Sequence, residues 1–334
     1  ILFDSLGVPF FITALVTILM IWLYTYRGGI KTIIWTDTLQ TTFMLLTVGI
    51  CIVSIFQNLG YSSVTSSVLE NNLDLRIFLF SDFNNSDNFF RSFLSGMFIA
   101  IAMTGLDQDM MQKNLSCQNI QDAQKNMIFF SVILVFVNLL FLYLGALLYQ
   151  YAFVYDINAS GDNLFISVVQ EGGLGVLVFI LFILGLVSAA YSSADSALTS
   201  LTTSFCVDFL SIKQTSLLKD SLRTRYFVHV LISCLLLFVI VLVKYLNNDS
   251  IISTLFLLAS YTYGPLLGLF LFGIFTERKL IDKYVPVIVL IAPVLSYFIS
   301  IYDTSFFRGF DFGPDLIIIN GLITFILLLL ISKK

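Results

Sequence analysis

Residues 185–201, GLVSAAYSSADSALTSL, place one carboxylate and six serine and threonine hydroxyl groups in or beside an apolar run. Four of these residues follow the i, i+3, i+4, i+7 rhythm and share one face of a helix: Ala189, Ser192, Ser193 and Ser196. Asp195 lies beside that face. Hydroxyl, carbonyl and carboxylate oxygens are ligands of hard cations. With so few carboxylates, the segment favours a monovalent cation over calcium.

An acid in such a segment needs a partner. An ionised aspartate inside a membrane costs about 3 kcal/mol or more unless a partner or water solvates it. The sequence offers no Lys or Arg within a span core to pair with Asp195, so a bound cation is the expected solution. The alternative for the serines is helix packing, where small residues let helices approach and hydroxyls bond back to the helix. Packing alone does not require a carboxylate.

A second acid, Asp37, occurs in YRGGIKTIIWTDTLQTTFM and is expected in the same, inner half of the membrane. Its alternative role is an N-cap or first-turn acid stabilised by the helix dipole. Asp107 and Asp109, in TGLDQDMMQ, are expected to be solvated or to cap a helix near a cytoplasmic end.

The composition indicates a membrane protein. Of 334 residues, 58% are hydrophobic and 11% are charged, and the mean hydropathy is +0.95. Apolar blocks of about 20 residues are long enough to span a bilayer as helices. Nine such spans are predicted: 10–26, 34–56, 90–112, 128–153, 174–203, 226–246, 251–275, 284–302 and 314–332. We therefore predict an all-α polytopic protein with about nine transmembrane helices.

Lys and Arg are distributed unevenly between alternate loops. One set of loops holds 13 of the 17, and the other holds only Arg76, Arg91, Lys244 and Arg308. By the positive-inside rule, the N-terminus of this chain is expected outside and the C-terminus in the cytoplasm of a cell (plasma or inner) membrane. The net charge of −4 and the absence of another basic patch argue against nucleic acid as a partner. The four scattered cysteines show no disulfide or zinc spacing.

Two places in the predicted spans are candidates for helix breaks. Gly105 interrupts IAIAMTGLDQDMMQ, and Gly264-Pro265 interrupts LLASYTYGPLLGLF. Broken helices at membrane depth are tolerated where the freed backbone lines a cavity, as in transporters with a central site. An ordinary kinked helix is the alternative for each break.

Three segments together resemble one transporter family. YRGGIKTIIWTDTLQTTFM, GLDQDMMQKNLSCQNIQDAQKNM and SAAYSSADSALTSLTTSFCVD are similar in order and spacing to the sodium/solute symporter family. This family includes carriers of sugars, proline, sialic acid and iodide. The resemblance covers about residues 10–275.

The resemblance implies an inverted-repeat fold of the LeuT type within a single transporter domain, 1–334. Residues 10–56 would end the first repeat, 90–275 would form the complete second five-helix repeat, and 284–332 would be peripheral helices. The first three core helices would be missing, so the chain is expected to be an N-terminally truncated piece.

The resemblance also implies two sodium sites. The shared site corresponds to the Ala189 carbonyl and the Ser192 and Ser193 hydroxyls, completed by carbonyls of the first core helix. A second site, present in some members, corresponds to Asp37, Ser192, Asp195 and Ser196, with Asp195 replacing the more usual hydroxyl residue.

The substrate side of the family's pocket corresponds to three residues of this chain. Sugar-transporting members carry Asn at Ala100, a Tyr gate at Met103 and Lys at Leu134, so a galactose-type pocket is not expected here.

The expected function is sodium-coupled symport of a small organic solute or anion by alternating access, without an organic cofactor and with Na+ as the coupling ion. A membrane enzyme is the first rival, but His229 is the only histidine and is interpreted as a packing or interfacial residue at a span end. A transporter-like sensor and a non-transporting truncated fragment remain alternatives.

Overall fold

The structure is a computed structural model that describes residues 7–25, 30–60, 78–80, 82–86, 88–211, 219–246, 251–301, 310 and 312–333. Within these residues the chain is helical and contains no strand longer than an isolated bridge. Eleven α-helices are described: α1 Phe10–Thr25, α2 Ile30–Asn58, α3 Phe89–Gly105, α4 Gln108–Leu115, α5 Ile120–Val154, α6 Leu164–Glu171, α7 Val176–Ser204, α8 Lys219–Leu246, α9 Ile251–Phe275, α10 Val285–Ile301 and α11 Leu316–Ile331. A π-helical turn, Phe205–Phe209, extends α7.

Each of the nine predicted apolar runs overlaps one or two described helices, and the all-α prediction is confirmed for the described residues. Six of the described helices are long and apolar enough to cross a membrane, and the bent pair α3 and α4 would make a seventh. The other two runs correspond to α1 and α11, which have 16 residues each and are shorter than a typical span. The structure supports a polytopic membrane protein, whereas the count of about nine spans stays a prediction.

The helices form two compact units. The first unit comprises residues 1–75 and 112–248, and the second comprises residues 76–111 and 249–334. The division into two repeats and peripheral helices that the sequence suggests stays a prediction.

Close packing of α2 against α7 organises the first unit. The hydroxyl of Thr47 on α2 lies 2.7 Å from the carbonyl oxygen of Leu181 on α7. A Cβ on Gly185 would stand only 2.6 Å from that hydroxyl oxygen, so glycine permits this approach. This contact places the N-terminal half of α2 beside the serine-rich half of α7.

The predicted break at Gly105 is confirmed. α3 ends at Gly105, and α4 begins at Gln108 with a bend of 57° between their axes. Asp107 lies in the break and caps α4, because its Oδ1 accepts a hydrogen bond from the Asp109 backbone N–H at 2.9 Å. The capping role expected for Asp107 is therefore confirmed, and its Oδ2 also accepts a hydrogen bond from the Tyr263 hydroxyl at 3.0 Å.

The predicted break at Gly264-Pro265 is wrong, since α9 continues through both residues. Proline lacks the N–H that would bond to the carbonyl of Tyr261, one turn earlier. Asn320 on α11 replaces that donor: its Nδ2 donates to the carbonyl oxygens of Ser260 and Tyr261, each at 3.0 Å. The helix survives because a side chain from a neighbouring helix satisfies the backbone group that proline leaves open.

Gly264 leaves room for the Asn320 side chain to reach these carbonyl oxygens. We therefore expect Gly264→Ala to lower the free energy of unfolding by roughly 3 kcal/mol, through overpacking and loss of the Asn320 hydrogen bonds. A Cβ at Gly264 would meet the Asn320 side chain at 2.5 Å. Thermal unfolding of the detergent-solubilised protein measures the effect. Gly273→Ala is the matched control in the same helix, because a Cβ there meets nothing within 4 Å. Equal melting temperatures for the two variants would contradict the packing role of Gly264.

In the second unit, Arg91 is buried in the first turn of α3, with only 4% of the residue exposed. Its guanidinium contacts the Asp315 carboxylate at 2.7 Å and the Asn84 carbonyl at 2.9 Å. The guanidinium carbon also stands 3.9 Å from the centre of the Phe310 ring. Arg91 thus joins α3, the segment before it and the start of α11.

His229 is buried in the first unit, where it packs between α1 and α7. Its Nε2 lies 3.1 Å from the Thr25 hydroxyl, and its Nδ1 lies 3.0 Å from the Thr202 hydroxyl. No acid is among these partners. The geometry agrees with the interpretation of His229 as a packing residue.

Candidate functional site

The site begins with Asp37 on α2. Asp37 is the eighth residue of the helix, so the alternative of an N-cap or first-turn acid is wrong. Its Oδ1 accepts a hydrogen bond from the Ser192 hydroxyl at 2.7 Å, and its Oδ2 lies 3.5 Å from the Ser196 hydroxyl. Ser192 and Ser196 are one helical turn apart on α7, so one carboxylate faces both hydroxyls.

Lys113 brings a positive charge to the same carboxylate. Its Nζ lies 2.9 Å from Asp37 Oδ2 and 2.9 Å from the Ser196 hydroxyl oxygen. The sequence placed Lys113 in a cytoplasmic loop, whereas the structure places it near the end of α4. Two oppositely charged side chains that are 27% and 17% exposed thus form an ion pair beside α7.

Asp195 belongs to a different contact. Its residue is fully buried, and its Oδ2 accepts a hydrogen bond of 2.7 Å from the Tyr24 hydroxyl on α1. Its other oxygen, Oδ1, has no hydrogen-bond partner within the described part of the chain. The sequence grouped Asp195 with Asp37, Ser192 and Ser196, but the strong hydrogen bond of Asp195 is made to Tyr24 instead.

Ser193 and Ala189 lie one turn apart on another part of the α7 surface. The Ser193 hydroxyl donates to the Ala189 carbonyl at 3.3 Å, and Ser193 is exposed. This is the back-bonding expected of a serine in an apolar helix. The hydroxyl of Ser192 is directed to Asp37, so two of the three residues assigned to the shared sodium site are adjacent and the third is engaged elsewhere.

The three substrate-side candidates lie on two helices. Ala100 is exposed on α3, and Met103, one turn later, packs against the apolar cluster of Ile99, Ala102 and Ile317. Leu134 is 42% exposed on α5. All three side chains are apolar, and their assignment to the substrate side stays a prediction.

Two site residues were missed from the sequence, Lys113 and Tyr24. Each is far from its partner along the chain: Tyr24 precedes Asp195 by 171 residues. No local pattern links such positions. The only signal for Lys113 was the break at Gly105, which redirects the chain just before it.

In chemical terms the site consists of oxygen ligands and one ammonium group. Carboxylate, hydroxyl and carbonyl oxygens can hold a hard monovalent cation.

The model of the sodium:solute symporter family matches residues 1–280. The sodium/sialic acid symporter NanT of Aliivibrio fischeri is 26% identical over 329 residues, covering 95% of this chain and 64% of that protein. The sodium/sialic acid symporter SiaT of Proteus mirabilis is 23% identical over 332 residues, covering 95% of this chain and 65% of that protein.

The chain therefore spans slightly less than two thirds of the length of these two curated relatives. The family match agrees with the resemblance carried by the three motif segments, and with several helices of membrane-spanning length. Because the family model covers most of its length, the chain belongs to the sodium:solute symporter family.

Proposed function

We propose that the protein is a sodium-coupled secondary symporter that imports a small organic solute by alternating access. The observation that carries the proposal is the group of oxygen atoms that α7 presents within a membrane-length helix of a symporter-family chain. Packing of α2 against α7 does not by itself require Asp37, because Thr47 and Gly185 already provide a close contact. A carboxylate that faces two hydroxyls and holds the Lys113 ammonium is better explained by a site for cations than by helix packing.

The proposed shared sodium site lies at the Ala189 carbonyl and the Ser193 hydroxyl, with Ser192 as the third ligand. Ser193 is exposed, so its oxygen is accessible to an ion and to further carbonyl ligands. The second proposed site comprises Asp37, Ser192 and Ser196, with Asp195 held against Tyr24 at its edge. The proposed ligands of both sites are hard oxygen atoms, as a sodium ion requires, and the Lys113 ammonium group lies beside those of the second site.

The proposed architecture is the LeuT-type inverted repeat. α1 and α2 are assigned to the end of the first repeat, α3 to α9 to the second, and α10 and α11 to the periphery. The Gly105 break in the α3–α4 pair is the kind of interruption that such transporters use near their binding sites. We assign the N-terminus of this chain to the outside and the C-terminus to the cytoplasm, following the Lys and Arg distribution.

The coupling follows from electrostatics. A membrane potential alone supplies about 2.3 kcal/mol per charge per 100 mV to an inward-moving cation. Sodium bound at α7 stabilises the outward-facing state and orders the solute site, and its release to the cytoplasm completes the cycle. Because binding coupling is reciprocal, the solute is expected to raise the affinity for sodium.

The substrate class is proposed from the relatives and from three apolar positions. The two relatives are named as sodium/sialic acid symporters, so an acidic sugar is the first solute to test. Ala100, Met103 and Leu134 offer no polar group to a sugar hydroxyl. A galactose-type hexose is therefore the negative control solute, and no enzymatic reaction is assigned.

Ser193→Ala tests the sodium site. Loss of a hydroxyl ligand to a charged group costs about 1.5–3 kcal/mol, so sodium affinity is expected to fall roughly 10- to 100-fold. The measurements are sodium-dependent tryptophan fluorescence of the complete gene product and sodium-driven uptake in proteoliposomes. Trp35, which is 78% exposed and two residues before Asp37, is a native probe.

Ser131→Ala is the matched control for this experiment. Ser131 is an exposed serine of α5 whose hydroxyl also donates to the backbone one turn earlier. A saturable sodium response that weakens only in Ser193→Ala supports the site. No sodium response in the wild-type protein would contradict sodium coupling, and equal responses of both variants would contradict the assignment of Ser193.

A further inference from the structure

The side chain of Lys113 stands at the position where the second sodium ion is proposed. Its ammonium nitrogen lies 2.9 Å from Asp37 Oδ2 and 2.9 Å from the Ser196 hydroxyl oxygen. The Ser192 hydroxyl completes the group by donating to the other oxygen of Asp37 at 2.7 Å. Three of the four residues assigned to that sodium site, Asp37, Ser192 and Ser196, therefore take part in holding the Lys113 ammonium group, which is a cation of the protein itself.

An ammonium group and a sodium ion compete for this carboxylate. Both carry one positive charge, and two like charges a few ångströms apart repel strongly in a partly buried setting. An ammonium group offers three N–H donors, which match oxygen acceptors such as those of Asp37 and Ser196. Lys113 therefore neutralises Asp37 in the way a bound sodium ion would.

We propose that Lys113 is a tethered counter-ion that occupies the second sodium site and competes with sodium for Asp37. This proposal rests on the proposed symport function and refines it. While Lys113 contacts Asp37, only the site at Ala189 and Ser193 accepts sodium, so the wild-type protein couples one sodium ion to each solute. Lys113 is thus a residue that determines ion stoichiometry.

The tether explains why the ammonium group prevails. A covalently attached group meets its partner at a high effective concentration, which a free ion has to exceed before it binds. Lys113 reaches Asp37 from the C-terminal part of the eight-residue helix α4, which begins directly after the break at Gly105.

The test counts the sodium ions bound by the complete gene product. Lys113→Met removes the charge and keeps an unbranched apolar stem. In equilibrium binding of radioactive sodium, we expect this variant to bind one more ion per protein than the wild type. Lys113→Arg keeps a cation next to Asp37 and is the matched control, with the wild-type count expected. The double variant Lys113→Met with Asp37→Asn is expected to lose the additional ion.

Thermal stability provides a second readout. Sodium, but not choline, is expected to raise the melting temperature of Lys113→Met more than that of the wild type, because sodium then replaces the missing charge. Equal sodium counts in wild type and Lys113→Met would overturn the proposal. An additional ion that persists after Asp37→Asn would overturn it as well.

The wild-type protein gives an independent test that does not depend on how the variants fold. If sodium competes with Lys113, sodium in large excess over the concentration used to count the bound ions should release its amine. Acetylation of Lys113, followed by mass spectrometry, is expected to rise several-fold in sodium relative to choline. Unchanged labelling of Lys113 would overturn the proposal. Failure of the proposed symport function is distinguishable from failure of the Lys113 proposal, because the wild-type protein would then show no sodium-driven uptake.

Discussion

Replacing Asp37 by asparagine is expected to lower sodium-driven uptake by about 100-fold. Asp37 contacts Ser192, Ser196 and Lys113 at once. The change therefore removes the negative partner of Lys113 and the carboxylate that accepts the Ser192 hydrogen bond. The change leaves the Lys113 ammonium without its counter-ion beside α7, which disfavours sodium binding at Ala189 and Ser193 by about 3 kcal/mol, and each 1.4 kcal/mol is tenfold. Uptake by proteoliposomes with an imposed sodium gradient measures the effect.

Glu277→Gln is the control for the Asp37 variant, because Glu277 is an exposed acid in the turn after α9. This control should transport as the wild type does. The pair of variants Asp37→Asn and Lys113→Met forms a double-mutant cycle with wild type. We expect the double variant to be more stable than Asp37→Asn alone, because no unpaired ammonium remains. Wild-type uptake by Asp37→Asn would show that transport does not need this carboxylate as the counter-ion of Lys113.

Arg91→Met is expected to give the largest loss of stability in the second unit. Arg91 is almost completely buried and is paired with Asp315, so its removal leaves a carboxylate without its cation. Breaking a buried ion pair on one side costs about 3–5 kcal/mol. For a chain of this size that corresponds to a fall in melting temperature of roughly 8 °C. Thermal unfolding followed by circular dichroism measures it.

Arg278→Met serves as the comparison for Arg91→Met, since Arg278 is an exposed arginine outside the helices. Its melting temperature should equal that of the wild type within about 1 °C. Combining Arg91→Met with Asp315→Asn removes both charges and is expected to recover part of the loss. If Arg91→Met has the same melting temperature as the wild type, the Arg91–Asp315 ion pair and the Phe310 contact contribute no net stability.

The helices could be predicted from the sequence because each depends on a local property. Apolar runs of sufficient length form helices wherever water is excluded, and each of the nine runs overlaps at least one described helix. The break at Gly105 was also local, since Asp107 caps the helix that follows it. The continuity of α9 through Pro265 was not predictable, because the donor that repairs it is Asn320, more than fifty residues later.

The face of α7 that carries Ser192 and Ser196 also followed from sequence, since residues one turn apart must point the same way. That this face meets Asp37 was expected only from the resemblance to a family. The structure brings the three side chains together across 155 residues of chain, through the close contact of α2 and α7 at Thr47 and Gly185.

The sequence by itself determined the membrane character, the helical runs and the oxygen-rich face of α7, because hydrophobic length and helical periodicity act within one segment. Only the tertiary structure decided which group partners each of the two acids. Asp37 pairs with Lys113, and Asp195 bonds to Tyr24. A charge in a low-dielectric interior takes the nearest complementary group in space, and no spacing along the chain encodes which group that is.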